Sequence, residues 1–121
     1  MTILVSVLSV FVAAEHFFFL ILEMALWTKP FGRKTFGNSK ELAEQTKVLA
    51  ANQGLYNGFI TAGILWGLFH PNPEFGHQVV LFFLVCATAA GIFGGITANR
   101  TILYIQTFPA LITGVLVYFM L

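Results

Sequence analysis

The chain has 121 residues, a length that fits a single domain. Its composition is 58% hydrophobic and 9% charged, with a formal net charge of +1, whereas a soluble globular domain has about 25% charged residues. This composition argues against a water-soluble fold and favours the lipid bilayer as solvent and partner, while the lack of a basic face interleaved with aromatic residues argues against nucleic acid.

Four apolar segments are long enough to cross the roughly 30 Å of hydrocarbon, which needs about 20 helical residues. They are residues 3–27, 48–69, 78–98 and 102–121. We therefore predict an all-α protein, a four-transmembrane-helix bundle forming one integral membrane domain over residues 1–121. No basic residue precedes the first segment, which is longer than the apolar core of a signal peptide, so we expect a retained membrane helix.

The connection between the first two segments contains Lys29-Pro30 and two glycines, Gly32 and Gly37. These residues predict the end of the first helix and an irregular chain after it. The following "NSKE" has the pattern of a capping box, with Asn38 as N-cap and Glu41 reaching back. We therefore expect the second helix to begin in the cytoplasm and to run continuously into the bilayer, over about 45 Å.

All six basic side chains fall in two connections that lie on the same side of a four-span protein. Arg100 lies between the third and fourth segments, and the other five lie between the first and second: Lys29, Arg33, Lys34, Lys40 and Lys47. The loop 70–77 and both termini contain none. Because short cytoplasmic loops carry the lysine and arginine excess, both termini are predicted to be extracytoplasmic, N-out and C-out.

The first segment contains Glu15, His16 and Glu23 within an otherwise apolar run. A charged side chain at mid-bilayer costs roughly 2.5–3.5 kcal/mol on insertion scales. These groups therefore have to be neutral, paired or near water. His16 and Glu23 are seven residues apart and share one stripe of the helix, whereas Glu15 points about 100° away, toward another neighbour or a subunit interface.

The second segment supplies matching polarity in "ANQGLYNGF". These side chains lie at the depth of Glu23 and His16 on the antiparallel first helix, so we expect Glu23 to contact Gln53 or Asn57. Polar residues of the fourth segment occupy the same cytoplasmic half. We predict a small polar cavity there, with eight candidate ligand-binding residues: His16, Glu23, Asn52, Gln53, Tyr56, Asn57, Tyr104 and Gln106.

A purely structural role is the alternative for many of these residues, because amides in membrane helices form interhelical hydrogen bonds worth about 0.6 kcal/mol on average. No metal site or cofactor is expected. The prolines of "HPNPEFGH" keep His70, Glu74 and His77 off one helical face, and the lone Cys86 excludes an internal disulfide or a multi-cysteine zinc site.

Small residues four apart, such as Gly54 and Gly58 or Gly91 and Gly95, predict close approach between helices. Pro109 leaves the carbonyl of Ile105 without its helical donor, so we expect the fourth helix to bend near Tyr104 and Gln106. Four helices enclose little space, and this favours a homo-oligomer.

The stretches "EHFFFLILEMALW" and "ANQGLYNGFITAGILWG" resemble an uncharacterised bacterial family of small four-helix membrane proteins, a domain-of-unknown-function family. The resemblance covers nearly the whole chain. It implies a bacterial plasma membrane and a shared site around Glu23 and the second-helix amides, and it brings no catalytic residues. A glutamate midway along the first of four helices is also similar to small multidrug transporters, but their weak charge bias is absent here.

Three functions follow from this pattern. The leading hypothesis is binding or proton-coupled transport of a small cationic or amphipathic molecule, with Glu23 releasing a proton and His16 relaying it. The second is an intramembrane enzyme acting on a lipid or small metabolite, with Glu23 or His16 as general base and Tyr56 or Tyr104 as acid. The third is a structural or regulatory membrane subunit.

Overall fold

The computed structural model describes all residues, 1–121, and contains only helices, which confirms the all-α class. A π-helical segment, Leu103–Thr107, directly precedes the last of five α-helices: α1 (Ile3–Met24), α2 (Pro30–Phe36), α3 (Lys40–Leu68), α4 (Pro73–Thr97) and α5 (Phe108–Tyr118). The chain divides into two units. We call Met1–Glu15 with Ile60–Leu121 the terminal unit and His16–Phe59 the central unit.

The predicted end of the first helix at Trp27 is wrong by three residues, because α1 ends at Met24. The N–H groups of both Ala25 and Leu26 donate to the carbonyl of Ile21, at 2.9 and 3.1 Å. This shared acceptor widens the last turn and ends the helix. Trp27 leaves the helix and donates its indole N–H to the hydroxyl of Thr46 at 3.0 Å.

The prediction of an irregular chain after Pro30 is also wrong, because Pro30–Phe36 forms α2. Proline at the first helical position supplies a φ suited to a helix and lacks an N–H that would be unpaired there. Gly37 ends α2 in the left-handed conformation at φ 69°, and its N–H donates to the carbonyl of Arg33. Two of the residues expected to prevent a helix, Pro30 and Gly37, therefore mark its beginning and its end.

The prediction of one long second helix is confirmed, since α3 is continuous over the 29 residues from Lys40 to Leu68. At 1.5 Å per residue it is about 44 Å long. Its N-cap is Ser39 rather than the predicted Asn38, because the Ser39 hydroxyl accepts the N–H of Leu42 at 3.1 Å. With the cap at Ser39, Glu41 is too early in the helix to form the predicted capping box.

Helix α4 begins at Pro73, five residues before the predicted Gln78. The Asn72 side chain accepts the N–H of Phe75 at 3.2 Å, and Pro73 occupies the first turn. Further along the chain, the helix is irregular at Tyr104 and Gln106, where Pro109 was expected to act, and the predicted bend itself stays a prediction. The N–H of Phe108 donates to the carbonyl of Leu103, five residues back, so the chain forms a π-helical segment before α5.

The terminal unit has a continuous apolar core, formed by Val5, Val12, Ala13, Ile64, Val80, Leu84, Ala87, Ala110 and Val117. In this unit α4 packs against α5 and the π segment. Gly91 and Gly95 allow that packing, since a Cβ on Gly91 would overlap the hydroxyl of Thr107 and one on Gly95 would overlap the Leu103 side chain. The predicted close approach at these glycines is confirmed.

Two helices are long and apolar enough to cross a membrane, judged by length and composition: α1, with mean hydropathy 2.2, and α4, with 2.4. The stretch Leu103–Tyr118 is apolar but shorter. The first turns of α3 contain Lys40, Glu41, Glu44 and Lys47.

The packing of α4 gives a matched pair of glycine substitutions within the terminal unit. Gly91→Ala should lower the free energy of unfolding by about 1–3 kcal/mol, because the new methyl group meets the backbone N of Thr107 at 3.0 Å as well as its hydroxyl. Gly114→Ala should be neutral or stabilising by up to about 1 kcal/mol, since its nearest neighbour, Leu84 Cβ, is 3.6 Å away. Denaturant unfolding in detergent micelles measures both, and equal destabilisation would contradict this packing.

Candidate functional site

Glu23 lies in the last turn of α1 and is buried, with 5% of its surface exposed. Its carboxyl oxygen Oε1 accepts a hydrogen bond from Nδ2 of Asn57 on α3 at 2.6 Å. The predicted contact between Glu23 and the polar face of this helix is therefore confirmed, with Asn57 as the partner. A carboxyl group in apolar surroundings needs such a donor, because an unbonded polar group there is costly.

Two glycines of α3 bring the helices of the central unit close enough for this bond. A Cβ on Gly54 would lie 3.0 Å from Cβ of Glu23 and 2.8 Å from Cγ of Met24. A Cβ on Gly58 would lie 2.6 Å from Cδ1 of Leu20. Asn57 lies between these two glycines in sequence, so the small residues set the distance over which its amide reaches the carboxyl.

A second side-chain link joins the end of α1 to the first turns of α3. The Trp27 indole N–H donates to Thr46, whose hydroxyl donates to the carbonyl of Leu42 at 2.8 Å. The Trp27 ring also contacts Phe36 of α2, with centroids 4.8 Å apart. The sequence reasoning missed Thr46. The signal for it was present, because a Trp next to a membrane helix needs an acceptor for its N–H.

His16 is fully buried, and its ring packs edge-on against Phe19 with centroids 5.4 Å apart. It is seven residues before Glu23 on α1, which corresponds to about 10.5 Å along the helix axis. This separation is too long for a direct hydrogen bond between the two. Proton relay from Glu23 through His16 therefore stays a prediction that needs an intervening group.

The other candidates on α3 do not surround the carboxyl. Asn52, Gln53 and Tyr56 are exposed. Asn52 donates to the carbonyl of Val48 in its own helix at 2.8 Å, and the Tyr56 ring contacts Phe59. Their predicted role in binding a ligand stays a prediction, and within the central unit the bonded pair is Glu23 with Asn57.

The last two candidates belong to the terminal unit. Tyr104 and Gln106 lie in the π segment; Tyr104 is exposed and stacks edge-on with Phe108, and Gln106 is half-buried. This unit also contains Glu15, whose Oε1 is buried without a hydrogen-bond partner.

The terminal unit has an open groove of about 290 Å³ between α4 and α5. Its lining is almost entirely apolar, unlike the predicted polar cavity, and consists of Leu81, Thr88, Leu111, Gly114, Val115, Tyr118 and Phe119. None of the eight candidate residues lines this groove, so it is a separate feature from the Glu23 site.

Comparison with known proteins assigns the chain to a family. A family model described as "Protein of unknown function (DUF1304)" matches residues 10–118, which include every candidate residue. The chain belongs to the DUF1304 family. It is also similar to the "Uncharacterized protein YpaA" of Lactococcus lactis subsp. lactis (strain IL1403), with 32% identity over 108 residues, covering 88% of this chain and 89% of the relative. No solved structure matches the chain.

The contribution of the Glu23–Asn57 hydrogen bond to the stability of this DUF1304 protein can be measured with a double-mutant cycle. We expect Glu23→Leu and Asn57→Leu to show a coupling free energy of about 1 kcal/mol, between the average of about 0.6 and the maximum of about 1.7 for such bonds in membrane helices. Glu23→Gln should retain the fold, because its amide oxygen still accepts from Asn57. The control cycle of Glu23 with Asn52 should be additive, since Asn52 bonds its own helix. A coupling of zero for the first cycle would show that the bond contributes nothing.

Proposed function

We propose that this DUF1304 protein is a multi-pass protein of a bacterial plasma membrane that binds or transports a small cationic or amphipathic molecule in exchange for a proton on Glu23. The observation that carries the proposal is the buried Glu23 carboxyl, hydrogen-bonded by a single Asn57 amide. An ionisable residue inside a membrane helix is a functional candidate by default, because its presence there is costly.

The exposed surface of the apolar helices supports the membrane part of the proposal. In α1 and α4 only 28% of the most apolar stretch of the helix is buried, whereas the core helix of a soluble protein is mostly buried. On α4, Phe82, Phe93 and Ile96 are each more than 60% exposed, at 62%, 71% and 77%. Such contiguous apolar surface is suited to lipid or to a protein partner.

Hydrogen bonding inside the helices is also suited to a bilayer. Two buried hydroxyl groups bond within their own helix: Ser9 donates to the carbonyl of Val5 at 2.8 Å and Thr113 to that of Pro109 at 2.7 Å. Polar groups in hydrocarbon need internal partners because no water is available. Residues 48–68 of α3 and the stretch after Arg100 contain no charged side chain, which supports two further spans.

Cation exchange follows from the chemistry of a single buried carboxyl. In its protonated form Glu23 is neutral and accepts the Asn57 amide through its carbonyl oxygen. A bound cation replaces the proton as the positive partner of the carboxylate, so one proton leaves for each cation that enters, and charge is conserved. Asn57 stays in place in both forms and orients the carboxyl group.

A structural role for the same hydrogen bond is the competing function. It is favoured by the exposure of Asn52, Gln53 and Tyr56, since these side chains of α3 are not turned into a shared buried site with Glu23. In this case the bond would only hold α1 and α3 together, and no ligand would respond to Glu23.

Proton release on binding distinguishes the two functions. Tetraphenylphosphonium added to the purified chain should release about one proton for each cation bound, and its apparent affinity should rise about tenfold per pH unit while unliganded Glu23 is protonated. Calorimetry in two buffers with different ionisation enthalpies measures this release. Glu23→Gln should abolish it, because glutamine has no proton to exchange.

The matched control is Glu15→Gln, which removes the other carboxyl of α1 and should leave the proton release unchanged. If Glu23→Gln changes thermal stability but neither binding nor proton release, the structural role is correct. If Glu15→Gln abolishes the release instead, the exchange site has been assigned to the wrong carboxyl.

The proposed orientation, with both termini outside and the basic connections in the cytoplasm, is tested by cysteine labelling in a Cys86→Ser background. A membrane-impermeant thiol reagent should label Asn72→Cys in intact cells, because the α3–α4 loop contains no lysine or arginine and is proposed to lie outside. Thr35→Cys, on α2, should be labelled only after permeabilisation. Both positions are exposed, so burial does not limit the reaction. The reverse pattern would overturn the orientation.

A further inference from the structure

We propose that α2 and the residue before it form a binding site for the anionic head groups of membrane phospholipids, with Lys29, Arg33 and Lys34 as the cationic ligands. The proposal rests on the membrane placement in the proposed function and does not depend on cation exchange at Glu23. It is derived from the position of α2, its charges and its exposed aromatic rings.

The position of α2 is determined by backbone contacts within the central unit. The N–H of Lys29 donates to the carbonyl of Leu26 at 3.1 Å, and the N–H of Arg33 to that of Lys29 at 2.9 Å. A Cβ on Gly32 would overlap the carbonyl oxygen of Leu26, so the two backbones are in direct contact. A short helix held in this way directly after a membrane span lies at the level of the lipid head groups.

The charges of this segment have no acidic partners. No acidic residue lies between Met24 and Lys40. The single ion pair of the structure joins Lys47 to Glu44, at 3.0 Å. In addition, the Nε of Arg33 is buried and has no hydrogen-bond partner. The buried Nε faces the protein, so the terminal nitrogens of the planar guanidinium are the donors suited to phosphate oxygens.

Aromatic side chains adjoin these cations. Phe31 is 56% exposed and Phe36 is 43% exposed, and Phe36 contacts the ring of Trp27. Phe31 and Lys34 are three residues apart and therefore share a face of α2. Exposed phenylalanine beside lysine is the composition of helices that lie in the membrane interface, where the ring enters the acyl boundary and the cation meets the anionic head group.

Charge complementarity therefore favours an anionic phospholipid over a neutral one, and exposed rings favour a lipid over free phosphate. Phosphatidylglycerol is the test lipid because its phosphodiester carries the required negative charge. Phosphatidylcholine has the same phosphodiester with a compensating cation.

Trp27 serves as a local reporter of the lipid next to α2. Trp66→Phe leaves it as the single tryptophan, and the full chain is reconstituted in bilayers containing brominated phosphatidylglycerol or brominated phosphatidylcholine. Quenching of Trp27 should show about a fivefold preference for phosphatidylglycerol, the factor that one well-placed basic side chain supplies. The preference should fall toward unity in 1 M salt, where the screening length is about 3 Å.

Matched variants assign the preference to α2. Changing Lys29, Arg33 and Lys34 together to Gln should remove it. Lys47→Gln should retain it, because Lys47 is already paired with Glu44, and Glu23→Gln should retain it because that carboxyl belongs to the other site. With Trp27→Phe, the remaining Trp66 should report no preference.

Several results would overturn the proposal. These are equal quenching by the two lipids, a preference unchanged by high salt, an equal preference at Trp66, or suppression of the preference by inorganic phosphate at matched ionic strength. If the triple variant does not fold, the salt series on the Trp66→Phe chain decides alone. If neither tryptophan is quenched by any brominated lipid, the membrane placement itself fails, and this outcome is distinct from loss of cation exchange at Glu23.

Discussion

A carboxyl group among apolar side chains has to be hydrated, protonated or hydrogen-bonded, and Glu23 meets this requirement through Asn57 on a different helix. The bond imposes conditions on its surroundings. It needs α1 and α3 to approach closely, and Gly54 and Gly58 on either side of Asn57 permit that approach. It also needs the two helices to keep a common register, which the Trp27–Thr46 bond supports further toward the α1–α3 connection.

Small residues also allow close helix packing in the terminal unit, where no hydrogen bond to a carboxyl group is involved. There Gly91 and Gly95 admit the residues of the π segment, and Pro109 is responsible for that segment because it cannot donate to Ile105. Small residues and one proline thus position Tyr104 and Gln106, which were selected from sequence for their polarity. The apolar groove between α4 and α5 belongs to this unit.

Much of this arrangement was predictable from the sequence because it depends on the helical repeat and on the position of each residue along its helix. Glu23 and Asn57 lie at matching depths on antiparallel helices, so their contact followed from the spacing of residues. The continuity of α3 followed from the lack of helix breakers in its sequence, and the position of the irregular segment at Tyr104 and Gln106 followed from Pro109. The hydrogen-bond partner of each amide side chain could not be predicted in this way. Asn52 is as polar as Asn57, and yet it donates to the carbonyl of Val48 in its own helix.

The errors have local physical causes. Asn38 was predicted as the N-cap of α3, whereas Ser39 is the N-cap in the structure. Both residue types are good N-caps, so the sequence does not distinguish the two neighbouring positions. The short helix α2 was missed because Pro30 and Gly37 were interpreted as helix breakers, although proline at the start and glycine just past the end are also the signals of a complete helix. The sequence pattern identifies the residues that are suited to capping positions, and tertiary contacts decide which of them caps the helix.

The most direct test of the account is a solid-state NMR measurement of the dipolar coupling between Cδ of Glu23 and Nδ2 of Asn57 in the full chain, in a lipid bilayer without added ligand. We expect a measurable coupling, because the carboxyl oxygen bonded to this Cδ is in hydrogen-bond contact with the amide nitrogen at 2.6 Å. We also expect the Glu23 carboxyl to be shielded from water in the same sample. Absence of the coupling, with Glu23 in exchange with bulk water, would contradict the claim that this buried pair is the centre of the site.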